Sequence, residues 1–564
     1  MLIMFKQFTR NAMALAVGAG MLGSANAFVV NDTFSGNWGE GGGASRGLII
    51  DILENSPAAG DFAPGVLVQW FTYRDGEPVW LLSDVPAIDP NSNSAELTFF
   101  EFSGGTFGPP GIGNPSSVVW GTATLTFNSC GNAVLDYDGI DGAGVIDTFS
   151  NITAQQCVVD EVASDCPDFS VDSGIPGSCI IGGTPITNDI TLTNEITWLI
   201  QGQFVVADGG SVTIEPNTEL VGGTLGDTDT FVVQQGGKVF AEGTAANPIV
   251  MRGPQAQGRG EWGGLVINGF APINGCADGV DPCTAQGEGN SGTYGGNDPH
   301  DNSGVLRYVV VANAGILFNE ENELNGIAFQ GVGDGTTVEY VQVHLNSDDG
   351  VEFFGGTVNA KYLVLTGIGD DSLDWTQGWQ GRVQYLVAKQ YTDDGDQGIE
   401  GDNNGDANDS LPRALPVLAN MTFVGNSNTD IGWLIREGTG VNIANSIATG
   451  FGESCLDIDQ QSTFDNEENL SIVNSIVGNC ATSFSDEAGD PFVVSDWFLG
   501  QAGNLDTDPL LNNYAPTSAS PALNIGNVPF TDAFFDNVDF AGAIRSADTD
   551  WTQGWTVGLD RDAP

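Results

Sequence analysis

Three aspartate pairs, Asp348-Asp349, Asp370-Asp371 and Asp393-Asp394, recur 22 and then 23 residues apart, with Glu352, Asp374 and Glu400 following them in turn. Carboxylates this dense suit two chemistries. They can coordinate a hard cation, and Ca²⁺ is the one that prefers carboxylate and carbonyl oxygens. They can also supply the acid and base of glycosidic-bond cleavage. The metal-ligand set is Asp348, Asp349, Glu352, Asp370, Asp371, Asp374, Asp393, Asp394 and Glu400, extended by Asp402 and Asp406 from the next loop. The catalytic candidates are Asp349, Asp370 and Asp371, because an inverting glycosidase holds its carboxyl groups roughly 6.5–9.5 Å apart. A calcium-assisted uronate lyase also needs a basic residue, and Lys389, Arg382 and Arg436 lie in this stretch. Trp375, Trp379 and Trp433 could line a sugar cleft with Lys389 and Arg436 as binding cations, or could be corner residues of the fold.

The acidic turns alternate with apolar runs: Val338-Glu-Tyr-Val-Gln-Val-His344, Ala360-Lys-Tyr-Leu-Val-Leu365 and Val383-Gln-Tyr-Leu-Val-Ala388. A period in the low twenties, built from short strands and Gly/Asn/Asp corners, predicts a coiled β-solenoid. Its coils would stack roughly 4.8 Å apart, placing Glu352, Asp374 and Glu400 over one another. Two carboxylates about 5 Å apart repel by roughly 3 kcal/mol at an effective dielectric near 20. A cation, protonation or splaying into solvent must relieve that column, and Lys361, Arg382 and Lys389 are too few to do it. Calcium is the reading preferred here. The loop Asp402-Asn-Asn-Gly-Asp-Ala-Asn-Asp409 alternates oxygens at Asp402, Asn404 and Asp406. Arg413 stands where an EF-hand would close with Glu, so that motif is not supported.

Residues 1–27 read as a secretory signal: Lys6 and Arg10, an apolar middle from Ala12 to Leu22, and the small-residue site Ala25-Asn-Ala27. No run reaches the roughly 18 apolar residues that a membrane span needs. Beyond the signal, 13 basic residues face 73 acidic ones, a balance of −60. That excludes general nucleic-acid binding, which needs a cationic surface. Eight cysteines fit an oxidising compartment. Cys276 with Cys283 and Cys455 with Cys480 are the expected bridges, while the connectivity of Cys130, Cys157, Cys166 and Cys179 stays open. With only His300 and His344 available, a histidine metal site is not expected.

In chain order, residues 28–160 hold strand-like runs such as Val66-Leu-Val-Gln-Trp-Phe-Thr-Tyr73 and Pro78-Val-Trp-Leu-Leu82, which predict a small antiparallel β domain. The Trp-Phe-Thr-Tyr, Asp-Gly and Pro-Val-Trp-Leu strings resemble a β-rich module of several exported bacterial proteins. That resemblance implies an accessory or targeting role. Trp70, Tyr73 and Trp80 are either a sugar-stacking platform or core. Residues 161–185 form a Cys/Gly/Pro linker, and coils extend over 186–480. A Gly/Asn/Asp-rich excursion, 275–304, is expected to lie over one face. The Asn-Ser-Ile echo at Asn445 and Asn474 suggests an internal asparagine ladder, and 481–564 supplies a terminal cap. Trp551-Thr-Gln-Gly-Trp555 repeats Trp375-Thr-Gln-Gly-Trp379.

Val212-Thr-Ile-Glu-Pro216, Ala241-Glu-Gly-Thr-Ala-Ala-Asn-Pro-Ile249 and Trp262-Gly-Gly-Leu-Val-Ile-Asn268 resemble the opening coils of exported right-handed parallel β-helix proteins, the pectin-lyase-like class. The resemblance implies an all-β, right-handed parallel β-helix and a role with glycans, without fixing a reaction. The Asp-Asp turns are similar to those of polygalacturonases, although the Gly-His segment and Arg-Ile-Lys string of those enzymes are missing. The expectation is thus a secreted, calcium-stabilised β-helix that binds extracellular or cell-surface polysaccharide. Its alternative is a polysaccharide hydrolase or lyase acting through the same acidic coils.

Overall fold

The computed structural model describes residues 30–561 except 31–33, 41–45, 54–64, 89–92, 104–115, 130–131, 152–165, 174, 176, 224–227, 257, 278 and 319–323. The leader, Cys130 and Cys157 lie outside the described residues. Eight antiparallel strands come first: β1 (Gly36–Glu40), β2 (Gly47–Leu53), β3 (Gly65–Arg74), β4 (Glu77–Ser83), β5 (Ser94–Ser103), β6 (Ser116–Ser129), β7 (Asn132–Gly139) and β8 (Gly142–Asn151). Closure follows from pairing of β1 with β8, Trp38 opposite Asn151, so the described strands close on themselves as a barrel. Alternation along β2 and β3 buries Leu48, Ile50, Val66, Val68 and Trp70 inside. Trp70 is therefore core, edge-on to Trp120 at 5.3 Å and to Tyr137 at 5.1 Å.

Beyond Cys166 the chain winds into a parallel β-helix. Parallel pairing begins at Ser178–Ile181 against Thr197–Ile200, and it reaches Leu505–Asp506. One long sheet carries the strands Gly304–Ala312, Thr337–His344, Asn359–Thr366, Arg382–Lys389 and Val417–Val424. A second, shorter-stranded sheet has ten strands, from Gln203–Val206 to Thr482–Phe484. Inside, like stacks on like: Phe329 lies over Phe353 at 5.3 Å, and Phe353 over Trp379 at 4.0 Å. Val494 and Phe498, on the short helix Val494–Gly500, join the same core at its C-terminal end. Disulfides Cys166–Cys179, Cys276–Cys283 and Cys455–Cys480 fasten separate levels of the stack.

Each long-sheet strand bends at one register position, and the residue there takes a left-handed backbone. The column runs Tyr308 (φ 49°), Tyr340 (56°), Tyr362 (63°), Tyr385 (67°), Asn420 (54°), Asn445 (50°) and Asn474 (50°). Asparagine tolerates this region, whereas a bulky side chain is strained there. The tyrosines offset that strain by stacking, with ring centroids 4.4, 4.3 and 5.0 Å apart down the column. The asparagine ladder is thus real in position but external, a correction to the sequence reading. Asn474 Nδ2 donates to Asn445 Oδ1 at 3.5 Å, and Asn445 Nδ2 donates to the Gly526 carbonyl at 2.7 Å.

Gly526 belongs to the C-terminal tail, which doubles back along this flank. Trp551 and Trp555 abut the tyrosine stack edge-on, at 5.2 Å from Tyr362 and 5.5 Å from Tyr308. The repeated Trp-Thr-Gln-Gly-Trp string therefore serves two surfaces. Its first copy puts both indoles in the core, and its second covers the outside. Truncation Tyr362→Ala should lower the unfolding free energy by roughly 1–3 kcal/mol in urea titrations, and unchanged stability would show the stack to be idle.

Candidate functional site

The shorter sheet sets the acids in line. Its register pairs Ala328 with Glu352, Glu352 with Asp374, Asp374 with Glu400, and Glu400 with Leu434. Above them the same outward column is Val205, Val232 and Val266. Three consecutive acids thus interrupt an apolar stripe, which beyond Leu434 meets a fourth acid, Asp457. Intervals of 22 and then 26 residues set them one coil apart, and alternation turns all three outward while Val351, Phe353, Leu373 and Trp375 turn in.

The corner before each strand adds a second row. Asp349 Oδ1 accepts the Asp371 backbone N–H at 3.1 Å, and Asp371 Oδ1 accepts that of Gln397 at 2.7 Å. Gln397 continues the ladder by accepting the Ile431 N–H at 3.1 Å. The third aspartate pair breaks away. Its turn is three residues longer, judged by Leu365 opposite Ala388 and Leu373 opposite Ile399, and Asp393 is held at 2.6 Å by Arg259, with Asp394 3.9 Å from the same guanidinium. Asp396 takes the vacated level, its N–H bonded to the Asp370 carbonyl at 3.0 Å. Three overlapping triads result, each with carboxylate oxygens within 4.8 Å of one another: Asp348/Asp349/Asp370, Asp349/Asp371/Asp374 and Asp370/Asp371/Asp396.

Burial makes this cluster unusual. Asp349, Glu352, Asp371 and Asp374 are only 4–8 % exposed. The long insertion covers the outward face, with Ile273 and Tyr294 packed on Val205, Val232, Val266, Ala328 and Phe354. It also brings another acid. Asn325 Nδ2 donates to Glu288 at 3.0 Å and to Glu352 at 2.6 Å, tying insertion to column. Desolvation first, then neighbouring negative charge, holds Asp349, Glu352, Asp371 and Asp374 well above the ordinary carboxylate range. The same causes push Glu288 up to about 8. Desolvation chiefly brings Glu400 to about 7 and Asp396 to about 6. Arg436 answers part of the charge, 2.7 Å from Glu400 and 3.0 Å from Asp402. Asp374 Oδ1 is buried and has no hydrogen-bond partner.

Several sequence candidates sit elsewhere. Trp375, Trp379 and Trp433 are fully buried, so they line the core and no sugar cleft. Trp375 donates to Thr439 Oγ1 at 3.1 Å and Trp379 to the Val358 carbonyl at 3.2 Å. Lys389 is on the long sheet, bonded to the Leu559 carbonyl of the tail at 3.2 Å. Arg436 is committed to Glu400 and Asp402, and Arg382 to Asp532 at 3.0 Å. Asp402 is therefore ion-paired, and Asp406 lies in a loop closed by Asn404, whose Oδ1 accepts the Asp406 N–H at 3.1 Å. That loop and the insertion flank a polar cleft of about 450 Å³ lined by Asn274, Thr376, Gln377, Asn404, Asp406 and Ser410. Glu288, Asn325 and Asp396 escaped the sequence reading. Of these only Asp396, two residues past Asp394, carried a local signal.

The family model for the pectate-lyase-like β-helix domain matches residues 183–556. The chain belongs to that family. Comparison with curated protein sequences finds no match. Among solved structures, this pectate-lyase-like chain is similar to the catalytic domain of a GH87 α-1,3-glucanase in complex with nigerose. That likeness is at 10 % identity and TM-score 0.24, covering 86 % of this chain and 96 % of the other. A variant of such a domain in complex with tetrasaccharides gives 8 % identity and TM-score 0.23 over the same shares. Likeness at this level assigns no activity.

The raised carboxyls set a pH dependence. A carboxyl whose native pKa exceeds its unfolded value near 4 costs nothing while protonated in both states, and destabilises as pH rises towards the native pKa. In metal-free buffer the melting temperature of this β-helix should therefore fall from pH 5 to pH 8, through the values of Asp396, Glu400 and Glu288. Calorimetric melts check this, and a flat or rising profile would contradict it.

Proposed function

We propose that this chain is an exported β-helix whose acidic corner holds Ca²⁺ and which binds extracellular polysaccharide without cleaving it. The observation that carries the reading is the buried Asp349/Asp371/Asp374 triad, oxygens within 4.8 Å, with Asp374 Oδ1 lacking any partner. Removing a partner from a buried charge is costly, and a hard cation suits an all-oxygen donor set. Asp349, Asp371 and Asp374 would hold it, with Asp348 and Asp370 at the rim. Bound there, calcium would supply positive charge to adjacent coils. The signal-like leader and three disulfides support export. The family and the polar cleft beside the insertion support a glycan partner.

Hydrolysis is less well supported. An inverting pair needs roughly 6.5–9.5 Å and room for water between its members, whereas these triads close within 4.8 Å and are largely buried. One observation keeps a second reading alive: half-buried Asp370 lies beside Asp349, whose carboxyl burial and neighbouring negative charge raise well above the ordinary range, and an acid raised in this way suits a proton donor. A glycan panel assayed for reducing ends and unsaturated products decides between them. Binding without products is expected, and turnover abolished by Asp370→Asn would establish the hydrolase.

Chelation tests the metal. EDTA should lower the melting temperature by on the order of 5 °C, the scale of a ligand held at about 100 Kd. Asp374→Asn should remove that difference, destabilising the protein in calcium and stabilising it in EDTA. Identical melts with and without EDTA would dismiss the cation.

A further inference from the structure

The barrel carries a surface that neither the acidic corner nor the family match explains. On β3 the residues alternating with buried Val68 and Trp70 are Gln69, Phe71 and Tyr73, which face outward. Register then sets Phe71 opposite Trp80 on β4, Gln69 opposite Leu82, Leu82 opposite Phe100 on β5, and Phe100 opposite Val119 on β6. Phe71, Tyr73, Trp80, Leu82, Phe100 and Val119 therefore form one outward apolar field across four strands. Trp80 is 70 % exposed, Tyr73 50 % and Val119 58 %. An indole that open is uncommon on a soluble protein, and a contiguous apolar field marks an interaction site.

The field is organised and confined. Phe71 meets Trp80 in an edge-to-face contact at 5.1 Å and 73°, which props the indole while most of its surface stays exposed. Tyr73 stands diagonally across from Trp80 on the same face, roughly 7–8 Å away by strand geometry. Farther along β5 and β6 the outward residues turn polar, and Thr124 donates to Glu96 at 2.8 Å. At the β3–β4 turn the rim is acidic, with Asp75 and Glu77 exposed. The nearby cation, Arg74, is spent on Glu101 at 2.8 Å and Asp141 at 2.5 Å.

Charge selects the occupant. A carboxylate rim on a chain of net charge −58 repels polyuronates, nucleic acids and anionic lipid, and it opposes a second copy meeting the same face. Flat aromatic rings a sugar unit or so apart suit the C–H faces of uncharged pyranoses. We propose that the outer face of β3–β6, centred on Trp80 and Tyr73, binds neutral polysaccharide by ring stacking. This deepens the glycan-binding reading, on which it rests, by naming a place and a charge class. It also separates binding from the acidic corner: the barrel holds the polymer, and the cation keeps the β-helix folded.

The test uses the full chain. Wild type, Trp80→Ala and the double variant Trp80→Ala/Tyr73→Ala are mixed with insoluble cellulose, chitin and calcium-polygalacturonate gel, and depletion from solution is measured. Wild type should bind cellulose or chitin and not polygalacturonate, with Trp80→Ala weakening binding at least tenfold. Both side chains are at least half exposed, so melting temperature and circular dichroism should not move. Wild-type binding by the double variant would overturn the barrel site while leaving glycan binding standing. Equal capture by polygalacturonate would overturn the neutral class. Absence of binding to every polymer would sink both readings. A dimer in sedimentation velocity that Trp80→Ala dissolves would reassign the face to self-association.

Discussion

In a parallel β-helix every coil is hydrogen-bonded to its neighbours in fixed register, so whatever residue occupies a position is pressed within about 5 Å of its equivalents above and below. This constraint governs the molecule. It is favourable where equivalents are apolar, as in Phe329 over Phe353 over Trp375. It is costly where they are acids, as in Glu352, Asp374 and Glu400. The chain does not evade the cost by pointing these acids at water. It roofs them with an insertion that contributes yet another carboxylate, Glu288. Such an arrangement persists only if positive charge or protons enter it.

The period itself was legible in the sequence, because 22-residue repetition of strand, corner and acid has few other physical meanings. The inward set of tryptophans was legible too, in principle. Asp374 faces out, so its neighbour Trp375 must face in, and a sugar-lining role for it conflicts with simple alternation. What the sequence hid was register slippage. Three extra residues in the third turn carry Asp393 and Asp394 to Arg259 and leave Asp396 at the rung. Long-range closure was hidden for a different reason. Glu288 meets Glu352 across 64 residues of chain through Asn325, and no local pattern encodes that meeting.

The same distinction explains the asparagines. Their spacing gave the stacking of Asn445 on Asn474, but not which side of the wall they occupy. That is decided by a left-handed bend shared by seven residues, four of them tyrosines for which the conformation is unfavourable in isolation. A bend repeated at every coil can recruit stacking that a single bend cannot. Strain and its compensation are both products of the repeat.

The returning tail changes what kind of polymer this is. A simple solenoid has only nearest-neighbour contacts, so it can fray from either end and open one layer at a time. Here Val557 meets Gln342, Gly558 meets Tyr391, Asp536 meets Gln384 and Phe540 meets both Asn420 and Asn445. Levels far apart along the stack are thereby tied through one strip of chain. Loss of the outermost layer must either strip that strip or be resisted by it. Those middle layers, the acidic corner among them, are thus bound into one all-or-none unit, like a bookbinding sewn along its spine.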